Sequence, residues 1–114
     1  MTKSMDVYNT EIIDDKDFCS EELSLDLWLL GCPYDDYYDG PFYSLYTAQK
    51  WLRKAKKLHI TLFSQSQESW MYRITKVGQK LEDGIYEEDF DLYESALHHG
   101  LERMVKMVKE ELNN

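Results

Sequence analysis

The stretch 58–77, LHITLFSQSQESWMYRITKV, decides the fold of this 114-residue chain. Apolar side chains recur at every second position in both of its halves, at Leu58, Ile60 and Leu62 and again at Trp70, Tyr72 and Ile74. A period of two is typical of strands that bury one face. The polar connector between the halves therefore predicts an antiparallel hairpin with strands at 58–64 and 69–77. Such a hairpin needs helices or another strand to cover its apolar face.

Helical periodicity flanks the hairpin on both sides. Apolar residues from Leu45 to Leu58 recur every three or four positions and predict a helix at about 46–57. A longer stripe of the same kind predicts a helix at about 92–111. Gly100 falls within this stripe, where glycine costs about 0.5–1 kcal/mol relative to alanine. We therefore expect a neighbouring element to approach the last helix closely at this residue.

Two shorter segments complete the predicted fold. Ser20 is placed as an N-cap, and Gly31 followed by Pro33 marks a helix end. We therefore expect a short helix at about 20–30. Apolar residues among acids at 84–90 are compatible with a third, edge strand or with a loop, and the sequence leaves both open.

Together these elements predict a single α+β domain over residues 1–114, in which a two- or three-stranded antiparallel sheet packs against the helices. Residues 1–18 show little periodicity and are expected to be loosely ordered or to form a short edge strand. The side chains expected in the core are Leu52, Ile60, Leu62, Trp70, Tyr72, Ile74, Leu97, Leu101, Met104 and Val108.

The composition excludes several classes of protein. Hydrophobic residues make up 43% of the chain and aromatic residues 14%, which is too rich for intrinsic disorder. No apolar run approaches about 18 residues, and the N-terminal stretch lacks the apolar region of a signal peptide. We therefore expect a cytoplasmic protein without a membrane span. Its two cysteines, Cys19 and Cys32, are expected to be reduced thiols.

Charge is divided unevenly along the chain. Residues 1–47 carry a net charge of −9, residues 48–81 carry +7 and residues 82–114 carry −7, which leaves −9 for the whole chain. This acidic–basic–acidic pattern has two interpretations. Either the three parts complement one another when they pack, or the basic part is a binding surface for an anion or an acidic partner.

Within the basic part, one face of the helix at 46–57 is a candidate anion-binding surface, formed by Lys50, Arg53, Lys54 and Lys57. The predicted order of helix, strands and helix is that of a double-stranded-RNA-binding domain. Such domains place lysines at the start of the last helix, where this chain has Asp91 and Glu94, so phosphate binding is opposed there. An ordinary solvated helix face is the alternative interpretation.

A second candidate surface is an acidic, aromatic loop formed by Tyr34, Asp35, Asp36, Tyr37, Tyr38 and Asp39. Tyrosine-rich loops commonly bind other proteins, because Tyr offers a large amphipathic surface at low entropy cost. The alternative is that these rings pack against the sheet or the helices. A calcium loop of the EF-hand type does not fit, because Tyr37 and Tyr46 fall where oxygen ligands are required.

Residues able to carry catalysis are few. Glu94, His98 and Glu102 recur every four residues along one face of the last helix, which suits either part of a metal site or an exposed stripe of ion pairs. Cys19 precedes a helix N-terminus, which favours a thiolate, but no motif supplies a base for it. We therefore predict no catalytic residue, no metal site and no cofactor, and we lean towards a protein that is not an enzyme.

Four segments carry a resemblance to a known group of proteins: LWLLGCP at 27–33, AQKWLR at 48–53, WMYRI at 70–74 and YESALHHGL at 93–101. In these segments the chain resembles small proteins found in phages and prophages of Bacteroides-type bacteria, to which no activity is assigned. The resemblance implies a cytoplasmic protein encoded by a mobile element. It carries no functional residues over to this chain.

Three functions follow as hypotheses. The first is a small non-enzymatic accessory domain that binds a protein partner through the acidic, aromatic loop or an exposed sheet face. The second is an acidic decoy that occupies a nucleic-acid-binding host protein. The third is weak binding of RNA or DNA through the basic helix, which the acidity of the chain disfavours.

Overall fold

A computed structural model describes residues 17–33 and 42–112 of the chain. Within these residues the predicted α+β class is confirmed, because three helices accompany one open sheet of three antiparallel strands. None of these helices combines the length and the apolar character needed to cross a bilayer. In chain order the elements are α1 (Glu21–Leu29), α2 (Leu45–Ala55), β1 (Leu58–Ser66), β2 (Ser69–Lys76), β3 (Ile85–Phe90) and α3 (Tyr93–Leu112), with a short 3₁₀ turn at Leu81–Asp83.

The sheet has the order β1-β2-β3, so each strand pairs with its neighbour in sequence. In the predicted hairpin Ile60 lies opposite Ile74 and Leu62 lies opposite Tyr72. This register places the apolar positions of both strands on one face. The segment that the sequence left open is a strand, because β3 pairs with β2. Most side chains of β3 are exposed, which explains why its apolar pattern is sparse.

The helices α2 and α3 cover the apolar face of the sheet and build the core with it. Of the ten side chains expected in this core, Leu62 and Trp70 are only partly buried and the others are buried. Both residues lie towards the hairpin turn, where burial along β1 decreases. The Trp70 ring is met there by the edge of Tyr93 at the start of α3, with the ring centroids 5.2 Å apart.

Gly100 marks the closest approach of α3 to the sheet. A Cβ atom at this position would overlap Cδ1 of Ile60 on β1 and would lie 3.4 Å from the Tyr72 ring on β2. The absence of a side chain therefore lets the helix lie directly on two strands. This contact confirms the close approach expected from the sequence and explains a glycine in mid-helix.

The helix α1 lies beside α3 and is held to the domain at several points. Leu27 is fully buried, with 0% of its surface exposed. Ser24 accepts a hydrogen bond from the Tyr43 N–H inside the core, over 3.1 Å. Asp26 forms an ion pair with Lys109 of α3 over 2.8 Å. One side of α1 is thus fixed in place by apolar and polar contacts together.

Candidate functional site

The acidic, aromatic loop predicted as a partner-binding site, residues 34–39, lies outside the described residues, and so does the segment 1–16. The described part of the chain presents three surfaces of functional interest. These are the basic face of α2, the outer face of α1, and a cleft beside the first half of α3.

The basic face of α2 is largely solvated. Lys50 and Lys54 are exposed and Arg53 is partly buried. The predicted helix at 46–57 is too long at its C-terminal end, because α2 ends at Ala55 and the backbone of Lys57 has a positive φ of 59°. Lys57 is exposed but lies just beyond α2. Among the described residues none of the four forms an ion pair. In this part of the chain, therefore, the positive charges are not matched by the chain's own acids. Lys50 instead lies over the exposed ring of Tyr46, with its Nζ atom 5.8 Å from the ring centroid.

The outer face of α1 is apolar and open to solvent. We use this name for Leu25, Trp28 and Leu29, whose exposed fractions are 55%, 60% and 66%. Residues three and four positions apart lie together on a helix, so these side chains form one continuous surface. A tryptophan exposed beside two leucines is unusual on a helix whose other side already supplies the core.

Acidic side chains border this apolar surface at one end. Glu21 and Glu22 occupy the first turn of α1 and are exposed. They precede Leu25 by four and three positions, so they lie on the same side of the helix as the outer face. No basic residue lies in the last turn of α1. The surface is therefore apolar at its C-terminal end and negatively charged at its N-terminal end.

The third feature is an open cleft of about 760 Å³ beside the first half of α3. Its apolar walls are Phe18, Phe42 and Phe90, which come from the segments before α1 and α2 and from the end of β3. Its polar lining comes mainly from α3 and includes Glu94, Ser95, His98, His99 and Glu102. The cleft thus gathers the predicted Glu94–His98–Glu102 stripe and three aromatic rings that are distant in sequence.

Within this cleft His98 has a structural role. The Ser20 N–H donates a hydrogen bond to His98 Nε2 over 2.9 Å, so this nitrogen carries no proton. The other nitrogen, Nδ1, lies 3.5 Å from Glu102 Oε1. His98 therefore ties the start of α1 to α3, and its Nδ1 faces Glu102. Among the described residues no group of three or more His, Cys, Asp or Glu side chains is arranged to hold a metal ion.

His99 and the buried Tyr72 form a second polar link beneath the cleft. The Tyr72 hydroxyl and His99 Nδ1 are hydrogen-bonded over 2.9 Å, and the Phe90 ring lies 5.1 Å from the imidazole. Burial raises the pKa of Tyr72, and the nearby Arg103 partly opposes this shift. Glu87 of β3 pairs with Arg103 over 3.4 Å. These contacts connect β2, β3 and α3 and stabilise the floor of the cleft.

Cys19 is not arranged as a nucleophile. It is 2% exposed. Burial raises the pKa of its thiol to about 12, with a smaller contribution from Cys32. The thiol therefore remains protonated at neutral pH, although the sequence places it just before a helix N-terminus. Burial outweighs the backbone hydrogen bond, which acts to lower the pKa of this thiol.

Sequence reasoning missed both the outer face of α1 and the cleft. One signal for the first was present, because the apolar residues of α1 are spread around the helix and a neighbour on one side cannot cover them all. The cleft had no local signal. Phe18, Phe42 and Phe90 come together only through the tertiary fold.

Comparison of the chain with protein families, with curated proteins and with solved structures found no match. The resemblance to proteins of phages and prophages therefore stays a prediction. Any function is argued from the surfaces described above.

Proposed function

We propose that this protein is a small binding domain for a protein partner and that the partner docks on the outer face of α1. The observation that supports this most directly is the 60% exposure of Trp28 between two exposed leucines. Tryptophan is among the residues most enriched at the energetic centres of protein interfaces. An apolar surface of this kind on a soluble domain is typical of an interaction site.

The outer face is preformed, which favours tight docking. Leu27 is fully buried on the opposite side of the helix, and Lys109 of α3 pairs with Asp26. A partner would therefore meet a helix that is already ordered, and little conformational entropy would be lost on this side of the interface. Docking on a rigid helix face requires only side-chain adjustments.

The charge around the outer face points to a basic partner. Glu21 and Glu22 border it, and the helix brings no basic residue to its last turn. A second copy of the chain fits poorly. Parallel α1 helices would set these glutamates against each other, and antiparallel ones would set them against the negative end of the partner's helix dipole. We therefore assign the occupant as an amphipathic segment with apolar anchors and lysines or arginines at one end.

A synthetic helical peptide with leucines along one face and lysines at one end tests this assignment. We expect Trp28→Ala to weaken its binding by about tenfold or more, equivalent to at least about 1.4 kcal/mol. Titration followed by tryptophan fluorescence, and by calorimetry for the variant, measures the effect. Tyr46→Ala is the matched control, because Tyr46 is an exposed aromatic residue on α2.

Two results would overturn the proposal. One is equal binding of the peptide by Trp28→Ala and the unchanged protein. The other is equal binding of a peptide in which glutamates replace the lysines, since charge would then contribute nothing to recognition. A loss of binding in Tyr46→Ala alone would move the docking surface to α2.

Weak binding of RNA or DNA remains a second candidate, supported by the basic face of α2. Lys50, Lys54 and Lys57 are exposed and form no ion pair with the described residues. A gel shift at low salt, with Lys54→Glu as the variant, tests this function. Binding that Lys54→Glu does not weaken, or no binding at all, would contradict it. The acidic decoy and the origin in a mobile element also stay proposals.

A further inference from the structure

The cleft beside α3 has the chemistry of a site for a small organic ligand. Three phenyl rings form its apolar walls, and one of them, Phe42, is 38% exposed. A volume of about 760 Å³ is within the range of small-molecule sites, even though the cleft is open on one side. Aromatic walls offer a ligand both apolar contact and the negative faces of their rings.

The polar lining of the cleft is acidic. It contains Glu94 and Glu102, and no lysine or arginine lies among the described residues that line it. Arg103, which lies near Tyr72, forms an ion pair with Glu87 and does not line the cleft. A negatively charged, aromatic-walled cleft attracts cations and repels anions.

The two glutamates differ in what they already contact. Glu102 Oε1 lies 3.5 Å from Nδ1 of His98, so this carboxylate faces a ring nitrogen. Glu94 is partly buried, and no described residue forms a hydrogen bond or an ion pair with it. Both nitrogens of His98 face groups other than Glu94, namely the Ser20 N–H and Glu102. Glu94 is thus the carboxylate that is available to a ligand.

We infer that the cleft binds a small organic cation, namely a protonated amine carried on an apolar or aromatic group. The apolar group lies between the rings of Phe18, Phe42 and Phe90, and the ammonium group pairs with Glu94. Cation–π attraction to the rings adds to this ion pair, since ring faces favour positive charge. The lining of the cleft includes none of Leu25, Trp28 and Leu29, so the inference does not depend on the proposed partner.

Three probes of the same shape and different charge test this inference. They are 2-phenylethylamine, the neutral 2-phenylethanol and the anionic 3-phenylpropionate. We expect the amine to bind saturably with a dissociation constant below about 10 mM, and at least about fivefold more tightly than the alcohol. Titration by NMR, read at the amides of residues 94–99, gives both the affinity and the location.

Variants assign the roles of the lining residues. Glu94→Gln is expected to remove most of the preference for the amine over the alcohol, whereas Phe42→Ala is expected to weaken both ligands. Glu110→Gln is the matched control, because Glu110 is an exposed carboxylate on the same helix outside the cleft. Thermal unfolding of each variant confirms that the domain is intact.

Several outcomes would overturn the inference. Equal affinity for the amine and the alcohol would remove the role of charge. Tighter binding of 3-phenylpropionate would indicate an anion site made by the histidines. An unchanged preference in Glu94→Gln, or no saturable binding of the amine below about 10 mM, would likewise contradict it.

Discussion

The helices α1 and α2 are built alike on their buried sides and differently on their exposed sides. Both are capped by a serine, at Ser20 and Ser44, and each buries one leucine completely, Leu27 and Leu52. The exposed side of α2 is basic apart from the ring of Tyr46, whereas that of α1 carries Trp28 and two leucines. Charged side chains on the exposed side of α2 are explained by their solvation in water. The apolar side chains on the exposed side of α1 remain in contact with water, and folding alone does not require them there.

The difference teaches where function is to be sought in a chain without a motif. A charged helix face is the expected result of ordinary folding, so the basic face of α2 by itself identifies no partner. An exposed tryptophan and two exposed leucines on a well-anchored helix are more informative. Burying such a surface releases about 25 cal/mol for each Å² removed from water. Binding of a partner to α1 would therefore release more free energy from the burial of apolar surface than binding to α2.

The largest expected effect tests whether the two helices are equally well anchored. Leu27→Ala and Leu52→Ala each remove a side chain that is 0% exposed, and each is expected to lower the free energy of unfolding by about 2–5 kcal/mol. Urea denaturation followed by circular dichroism measures both. Leu25→Ala is the control on α1, because its exposed side chain is expected to change stability by less than about 0.5 kcal/mol.

The two helices are not equally well anchored if Leu27→Ala lowers the free energy of unfolding by less than about 1 kcal/mol while Leu52→Ala lowers it by about 2–5 kcal/mol. In that case α1 would be a loosely attached helix. The exposure of Trp28 would then reflect detachment from the domain and would not indicate a preformed docking surface.

The second prediction concerns the link between the starts of the two helices. The Cys19 N–H, just before α1, donates to the Tyr43 carbonyl, just before α2, over 2.8 Å. The Cys19 thiol is buried, and its pKa is raised from 9.0 to about 12. Above pH 9 the unfolded chain therefore loses this proton while the folded chain keeps it. Stability falls as pH rises from about 9 to about 12, with a slope of about 1.4 kcal/mol per pH unit from this one group.

Urea denaturation at a series of pH values above 8 measures this slope. Cys19→Ala removes the thiol. We therefore expect the free energy of unfolding of this variant to fall less steeply with pH than that of the unchanged protein, by the contribution of one titrating group. The variant is expected to be less stable at every pH. The lysines and the tyrosines are present in both proteins, so their contributions cancel in the difference. An identical slope in the two proteins would show that Cys19 is not held protonated by burial.

Most of the fold was predictable from the sequence because it depends on local periodicity. The alternation at 58–77 identified the hairpin, and the helical stripes identified α2 and α3. The sequence did not decide whether residues 84–90 form a strand, because an exposed edge strand such as β3 buries too few side chains to show a clear period. Gly100 was an exception among single residues, because its position inside a stripe pointed to a tertiary contact.

The candidate sites were not predictable in the same way. An apolar helix such as α1 does not reveal from its sequence which side its neighbours cover, and here α3 lies against one side while Trp28 remains exposed. The cleft depends on Phe18, Phe42 and Phe90, which are far apart in sequence and come together only in the folded chain. Charge counts were also incomplete as a guide. They did not show that the basic side chains of α2 form no ion pairs with the described residues.

The smallest expected effect compares the charged ends of the two helices. Glu22 lies in the first turn of α1 and Lys54 in the last turn of α2, so each charge complements the dipole of its own helix. Glu22→Lys and Lys54→Glu are each expected to lower the free energy of unfolding by about 0.3–1 kcal/mol at low salt. In about 1 M NaCl both effects are expected to vanish, because the charges are exposed and screened.

The two variants separate stability from binding. If α1 carries the docking surface, Glu22→Lys weakens binding of the basic peptide, whereas Lys54→Glu leaves it unchanged, although the two cost similar stability. Higher stability in Lys54→Glu would have a different meaning. It would show that repulsion among the positive side chains of α2 exceeds the dipole effect, so that this face is crowded with charge beyond what the fold alone requires. The basic face would then join the outer face of α1 as a surface that needs a partner to explain it.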